Sequence, residues 1–136
     1  MPLLSFSWAQ WEYTVVMKVI LHPEVFSVAR LGPNDPVPDL TDVRWYSVTR
    51  TSDELSIVAP KQIFEKLDIP HEQEWACISL GQTFDLSLTG IAAAFTRPLA
   101  DAGIPVFIIN TYDTDHVLVP QDRSDESVKI LESVEL

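Results

Sequence analysis

A short stretch at residues 87–91 has the residue types that bind an anion. Ser87, Leu88, Thr89, Gly90 and Ile91 stand at the predicted start of an Ala-rich helix. The first N–H groups of a helix have no partner within it, and together with the helix dipole they favour a negative group. Gly90 lets a ligand approach the backbone closely. The alternative is that Ser87 or Thr89 only caps the helix.

A carboxylate suited to a cationic group follows the next predicted strand, at Asp115. The stretch TYDTDHVLVP (111–120) aligns with TSDELSIVAP (51–60); Asp113 recurs in that alignment, whereas Leu55 stands in place of Asp115. A residue needed for the turn itself should recur in both copies, and aspartate serves turns by hydrogen-bonding their backbone. Because Asp115 does not recur, a binding role is favoured over that of a solvated hairpin aspartate.

The other reactive side chains lack the spacing of a catalytic or metal site. The three histidines, His22, His71 and His116, show no HxxxH or HxH spacing, and Asp115 and His116 point to opposite faces of a strand. The single cysteine, Cys77, stands in the apolar run WACI, which is typical of a buried side chain, and spacing nominates no histidine partner for it. GxGxxG, GxxxxGK[ST] and GxSxG are absent. We therefore expect no metal, no cofactor and no catalytic residue, with a small enzyme that uses its carboxylates as a third alternative.

These residues are positioned by elements that repeat along the chain. VFSVARLG (25–32) aligns with WACISLGQ (75–82), upstream of the first alignment in each half. Each half predicts the order β–(α or loop)–β–β–α, which begins a ferredoxin-like unit. Residues 88–102 predict the helix of the second half, closed by Gly103. In the first half the segment 32–39 stands in its place, and its three prolines exclude a regular helix.

The repeat predicts the domain organisation. Residues 1–12 form an N-terminal arm, residues 13–70 a first, degenerate unit, and residues 71–136 the second unit. Repeats that cannot bury their faces alone must pack on each other, so we predict one pseudo-symmetric body. Trp8 and Trp11 precede the repeat, and we expect them to cover a sheet edge or a surface between subunits.

Composition narrows the classes of function. The 136 residues include 9 Lys and Arg against 20 Asp and Glu, a formal net charge of −11 at pH 7. Such a surface repels nucleic acids and anionic membranes, whose binding begins with basic side chains. One cysteine cannot form an internal disulfide. No basic leader and no stretch of roughly 18 uncharged apolar residues is present. We expect a cytoplasmic protein with neither a nucleic-acid nor a membrane partner.

Residues 84–120, with WYSVTRTSDELSIVAP (45–60), resemble the small tandem ACT-domain proteins, which are related to the ACT modules of the CASTOR-type cytosolic arginine sensors. The resemblance covers residues 17–133 and rests on TRTSDELSIV, LTG and TYDTDHVLVP in that order. It implies an α+β fold of two ferredoxin-like (ACT-type βαββαβ) units packed as one pseudo-symmetric body, the first unit with a shortened helix. It also implies a small-molecule sensor that binds an amino acid without catalytic turnover.

The ligand contacts of the arginine sensors carry over to the matching positions of the turn, Thr111, Tyr112 and Asp115. Asn110 departs from the pattern, in which a Ser or Thr precedes the turn, although its amide can still bond a ligand. Ser47 and Val48 are further candidates where the surface between two modules forms the site.

The resemblance also bears on partners. ACT-type modules associate side by side through their sheets, so we expect a homo-oligomer and a regulated protein partner. A free amino acid offers a carboxylate to the helix start and an ammonium to Asp115, and the acidic chain suits a cationic side chain. The alternative is a structural or partner-interaction module with a decayed ligand pocket, indicated by Asn110, the shortened first copy and the aromatic arm.

Overall fold

The computed structural model describes residues 3–7, 10–14, 18–81 and 91–134, the first two stretches by their backbone alone. The strands are β1 (Leu3–Ser7), β2 (Gln10–Thr14), β3 (Val19–Leu21), β4 (Phe26–Leu31), β5 (Ser47–Arg50), β6 (Leu55–Pro60), β7 (Glu72–Leu80), β8 (Phe107–Asn110) and β9 (Asp115–Pro120). The helices are α1 (Lys61–Lys66), α2 (Ile91–Asp101) and α3 (Ser124–Glu132), with a 3-10 turn at Gln121–Arg123 before α3.

Seven of these strands form one antiparallel sheet in the order β5-β6-β4-β7-β9-β8, with β3 also paired to β7. Because β9 occupies one side of β7 along residues 75–79, β3 and β4 both lie along its other side, end to end. Residues 22–25 connect β3 to β4, and the backbone N–H of His22 donates to Cys77 O at 3.0 Å. The strands β1 and β2 pair with each other as a separate hairpin.

All three helices pack on one face of the sheet, because alternate residues of each strand point to that face. The larger cluster, under α2 and α3, consists of Ala76, Ile78, Leu80, Phe95, Leu99, Ile104, Val117, Val119, Leu131 and Val134. The smaller cluster, under α1, consists of Ala29, Leu55, Ile57, Ala59 and Phe64. Each large apolar side chain buried there stabilises the fold by about 1.5–3 kcal/mol.

The opposite face, which we call the helix-free face, carries a third cluster. Its buried members are Phe26, Val58, Cys77 and Leu118. Trp45 covers part of this cluster and comes from the long connection between β4 and β5. Its ring meets Phe26 edge to face, with the ring centroids 5.5 Å apart. The connection therefore reaches across the sheet and anchors on the face that the helices leave uncovered.

Most predicted elements are present with shifted ends. β7 begins at Glu72, three residues earlier than expected, and β9 begins at Asp115, which therefore opens a strand instead of sitting inside the turn. The β1–β2 hairpin begins in the predicted arm, residues 1–12, and ends two residues beyond it, at Thr14.

The shortened helix expected in the first half is absent. No residue between 32 and 46 is helical, because three prolines remove backbone donors that a helix needs. Arg50 instead donates to Pro33 O and, at 2.9 Å, to Asp35 O, which fastens this connection to β5.

Candidate functional site

The helix-free face carries a chain of hydrogen bonds through two histidines. His22 Nε2 lies 2.7 Å from Ser79 Oγ, which in turn lies 2.6 Å from His116 Nδ1. The indole N–H of Trp45 donates to the same Nδ1 at 3.3 Å, and Thr111 Oγ1 lies 3.1 Å from His116 Nε2. Ser79 lies on β7 and His116 on the neighbouring strand β9, and His22 directly follows β3.

The hydrogen-bond partners of His116 indicate which of its two ring nitrogens carries the hydrogen. An indole N–H only donates, so Nδ1 of His116 accepts and the hydrogen sits on Nε2, which donates it to Thr111 Oγ1. The Thr111 hydroxyl then donates to Thr114 O at 2.9 Å. The Ser79 hydroxyl donates to the same Nδ1 and accepts from Nε2–H of His22. This assignment leaves His116 neutral, with the one lone pair of Nδ1 shared between the Ser79 hydroxyl at 2.6 Å and the Trp45 N–H at 3.3 Å.

Burial moves both histidines towards the neutral form. His116 is 8% exposed, and loss of hydration lowers its pKa; nearby His22 adds to the lowering and Asp115 opposes it. Burial likewise lowers the pKa of His22, against the opposing charge of Glu24. At Asp115 burial raises the pKa of the carboxyl group, and His116 opposes that rise. The two imidazoles therefore serve as neutral hydrogen-bonding groups near pH 7.

A cavity of about 450 Å³ opens on the same face. Its lining consists of Val28, Ser47, Thr49, Ser56, Val58, Glu72, Gln73, Trp75, Phe107 and Ile109. Ser47 lies on β5 and Ile109 on β8, the two ends of the strand order, so the sheet curves until both border one cavity. Ligand pockets measure roughly 300–1,000 Å³. With hydroxyls, one carboxylate and the Trp75–Phe107 ring pair at 4.8 Å, the cavity suits a small molecule with apolar and polar parts.

The predicted ligand residues of the second half meet at the turn between β8 and β9; they are Asn110, Thr111, Tyr112 and Asp115. Asn110 pairs with Asp115 across the turn, which Thr111 N–H closes by donating to Thr114 O at 2.9 Å. Tyr112 is 92% exposed. The Thr114 hydroxyl donates to Leu80 O at 2.9 Å, so the turn is fixed to the end of β7.

The remaining predicted residues are distributed differently. Ile91 is the first residue of α2 and packs against the larger helix-side cluster. Ser47 lines the cavity, whereas Val48 points to the other face and packs against the cluster under α1. The other members of the predicted helix start, Ser87, Leu88, Thr89 and Gly90, lie outside the described residues.

Sequence reasoning missed the group formed by His22, Ser79 and His116. These residues are 57 and 37 positions apart along the chain, so no local pattern marks them. The cavity hydroxyls did leave a signal, because Ser47 and Thr49 alternate along one strand and share a face.

Comparison with known proteins gives the class of this protein. Residues 71–133 match the family model of the ACT domain, and residues 24–65 match a second family model, which describes an N-terminal domain. Residues 71–133 therefore form an ACT domain, and the fold is ACT-like and α+β.

Within this class the chain is related to the CASTOR proteins. It is 30% identical to the human protein CASTOR3P over 93 residues, 58% of this chain and 56% of that protein. It is 28% identical to the Mus musculus protein "cytosolic arginine sensor for mTORC1 subunit 1" over 102 residues, 70% of this chain and 31% of that protein. The chain thus spans about half of the first relative and about a third of the second.

Solved structures share the fold. The protein Atu0741 from Agrobacterium tumefaciens is 30% identical with a TM-score of 0.75, and the match covers 86% of this chain and 87% of that one. The α and β subunits of an aspartokinase are 19% identical with a TM-score of 0.63, over 86% of this chain and 96% of that one. The second likeness concerns the fold alone.

Among the helices in the described part of the chain, none has the length and apolar character needed to cross a bilayer.

Proposed function

We propose that this chain is a regulatory protein that binds an amino acid and does not convert it. The ACT domain at residues 71–133 supports this class, and so does the name of the mouse relative, which describes an arginine sensor. The observation that carries the proposal is the position of Asp115, a half-buried carboxylate at the turn that is fixed to the end of β7.

The surroundings of Asp115 suit an ammonium or guanidinium group. Partial burial raises the pKa of its carboxyl group, which indicates weakened hydration of the charged form. A cation placed beside such a carboxylate gains more than it would in water. The Thr114–Leu80 bond sets the turn at the strand end from which the chain continues towards α2. The proposal keeps the sequence-based prediction that the N–H groups at residues 87–91 bind the carboxylate of the ligand, while Asp115 binds its cationic group.

The proposal includes two related units, residues 13–70 and 71–136, as its framework. The turns before β6 and β9 have the same closure: Thr51 N–H donates to Glu54 O at 2.9 Å, as Thr111 N–H does to Thr114 O. Both strands end in a proline with nearly equal backbone angles, φ −53° and ψ 132° at Pro60, and φ −53° and ψ 137° at Pro120. A helical segment follows each proline.

Ligand binding is tested by titrating the protein with the twenty amino acids, arginine first, by calorimetry and thermal shift. Loss of one hydrogen bond to a charged group costs roughly 1.5–3 kcal/mol, or about 10–100-fold in Kd. We expect Asp115→Asn to weaken binding by this factor. Asp113→Asn is the matched control, because it removes one carboxylate from the same turn at an exposed position.

Three results would each contradict a part of the proposal. If no amino acid raises the melting temperature of the wild-type protein, amino-acid sensing is wrong for this chain. Equal effects of the two Asn variants would place the ligand elsewhere, with the cavity bordered by Ser47 as the next location to test. Conversion of any bound amino acid, followed by mass spectrometry, would overturn the absence of turnover.

A second candidate function is a partner-interaction module, favoured by the separate β1–β2 hairpin. Its strands pair with each other outside the seven-stranded sheet. Deletion of residues 1–14 should then abolish capture of a protein partner and leave the melting temperature of the rest unchanged. A full-length chain that captures no partner would speak against this candidate.

We place the protein in the cytoplasm as a homo-oligomer. Among the described residues β3 pairs with β7 alone, and it exposes Ile20 and Leu21 by 48% and 41%. Exposed apolar edge strands favour pairing with a second chain. Sedimentation at micromolar concentration should detect a dimer or larger species that Ile20→Lys dissociates, whereas a monomeric wild type would contradict the assembly.

A further inference from the structure

Three side chains of the helix-free face converge on one point. The nitrogens of His22 and His116 and the sulfur of Cys77 all lie within 4.8 Å of one another. Cys77 and His116 lie on the neighbouring strands β7 and β9, and His22 directly follows β3, which pairs with the other side of β7. In a tetrahedral zinc site with Zn–N near 2.0 Å and Zn–S near 2.3 Å, ligand atoms stand about 3.3–3.8 Å apart. With one sulfur and two nitrogens these spacings are about 3.3–3.5 Å, so the three groups need to close by at most about 1.5 Å.

The geometry points to a cation site at His22, Cys77 and His116 that takes Zn²⁺ or a metal of similar softness, with a water held by Ser79 as the fourth ligand. Two imidazoles and one thiolate with an open fourth position are a donor set that zinc prefers. The site is separate from the proposed amino-acid site, although Thr111 borders both.

A hydrogen bond from His116 to Thr111 already orients the imidazole as a ligand. Its Nε2–H donates to Thr111 Oγ1, at 3.1 Å, and Thr111 donates onward to Thr114 O. This bond turns the Nδ1 lone pair towards Ser79 and Cys77. Metal-binding histidines are held in this way by a hydrogen bond at the second ring nitrogen. Binding at Nδ1 would displace both hydrogen bonds to that nitrogen, the one from the Ser79 hydroxyl at 2.6 Å and the longer one from Trp45 at 3.3 Å, and would free the Ser79 hydroxyl to hold the water.

The protonation states fit metal binding at neutral pH. Burial lowers the pKa of both histidines, so each ring is neutral near pH 7 and has one unprotonated nitrogen that a metal can bind. Burial raises the pKa of the Cys77 thiol to about 12, so the free protein holds the thiol. Formation of the metal–sulfur bond then breaks the S–H bond and releases one proton to solvent. Glu24, whose charge acts on His22 and Cys77, adds an attraction for a cation.

The site is tested with zinc and cobalt alone. We expect the full-length protein, freed of metal by a chelator, to bind one Zn²⁺ per chain in competition with a chromophoric chelator. The Co²⁺ form should show the near-ultraviolet absorption of a thiolate ligand and the visible bands of a tetrahedral ion. Cys77→Ala should remove the thiolate absorption, and His116→Gln should remove stoichiometric binding.

Two further variants separate ligation from folding. His71→Gln is the matched control, because His71 stacks on Phe64 and bonds Ile69 O away from the cluster; its affinity for Zn²⁺ should equal that of the wild type. Thr111→Val should weaken Zn²⁺ binding roughly 10–100-fold, since it removes the hydroxyl that accepts from Nε2–H of His116. Absence of the thiolate absorption from folded wild-type protein would overturn the site, as would binding that survives both Cys77→Ala and His116→Gln.

Discussion

The two histidines of the helix-free face should make the stability of this protein depend on pH between about 5.5 and 7.5, around the ordinary histidine pKa. Burial lowers the pKa of both His22 and His116 in the folded chain. The unfolded chain therefore binds more protons than the native one once the pH falls below about 6.5. The contribution of the two neutral histidines to the free energy of unfolding is therefore fully present above the ordinary histidine pKa. It is lost as the pH falls below that value.

The magnitude follows from linkage. A histidine that stays neutral in the native state and titrates normally in the unfolded state lowers the free energy of unfolding by about 1.4 kcal/mol between pH 7.5 and 5.5. Two such histidines set an upper limit of about 2.7 kcal/mol. The limit is approached more closely by His116, which is 8% exposed and has partners at both nitrogens, than by the half-buried His22.

The assay is urea unfolding followed by tryptophan fluorescence across this pH range, with a chelator present so that metal binding does not contribute. In His116→Gln the difference in bound protons between the unfolded and native states should fall by up to one. His71→Gln, which leaves the network of His22, Ser79 and His116 intact, is the matched control. The net charge of −11 acts in the opposite direction, since acidification relieves repulsion within the folded chain. Stability that is flat, or that rises towards pH 5.5, would refute the assignment of neutral native histidines.

Three other properties follow from the structure. Cys77 is fully buried, and its thiol pKa is raised to about 12, so we expect no reaction with a disulfide reagent at neutral pH until urea unfolds the chain; rapid labelling of the native protein would contradict this. Phe64→Ala should cost about 3–5 kcal/mol of unfolding free energy, because Phe64 is 0% exposed, whereas Leu67→Ala at a 46% exposed position should cost under about 1 kcal/mol; similar losses would place Phe64 outside the core. Gly103→Ala should lower stability by about 1–2 kcal/mol, since φ is +73° there, and calorimetry showing an unchanged melting temperature would contradict that conformation.

Local patterns predicted most of the secondary structure. The alternating apolar runs became strands because one face of each had to be buried, and Pro60 and Pro120 mark the ends of β6 and β9. The observed ends of some strands differ from the predicted ends where hydrogen bonding to a neighbouring strand outweighs the local residue preferences. β7 extends back to Glu72 because a bulge opposite Ser27 keeps it paired with β4, and the Ser27 hydroxyl contacts Glu72 O and Gln73 O at 2.6 and 2.7 Å.

The candidate site was predictable only where its residues are close in sequence. Thr111, Tyr112 and Asp115 lie within one stretch of five residues, so the resemblance of that stretch to the arginine sensors nominated them together. Whether the predicted helix start at residues 87–91 completes that site is still a prediction. Val48 shows the limit of the motif, because strand alternation turns it towards α1 while its neighbour Ser47 lines the cavity.

The sequence by itself therefore determined most of the order of elements and the turn that precedes Asp115, because these depend on neighbouring residues. Only the tertiary structure decided that His22, Cys77 and His116 meet. In the sequence Cys77 is one residue of an apolar strand. The two histidines come close to it only because β3 and β9 pair with opposite sides of β7 in this register. Register is fixed by the burial of whole strand faces, a property of the packed sheet that no short stretch of the chain contains.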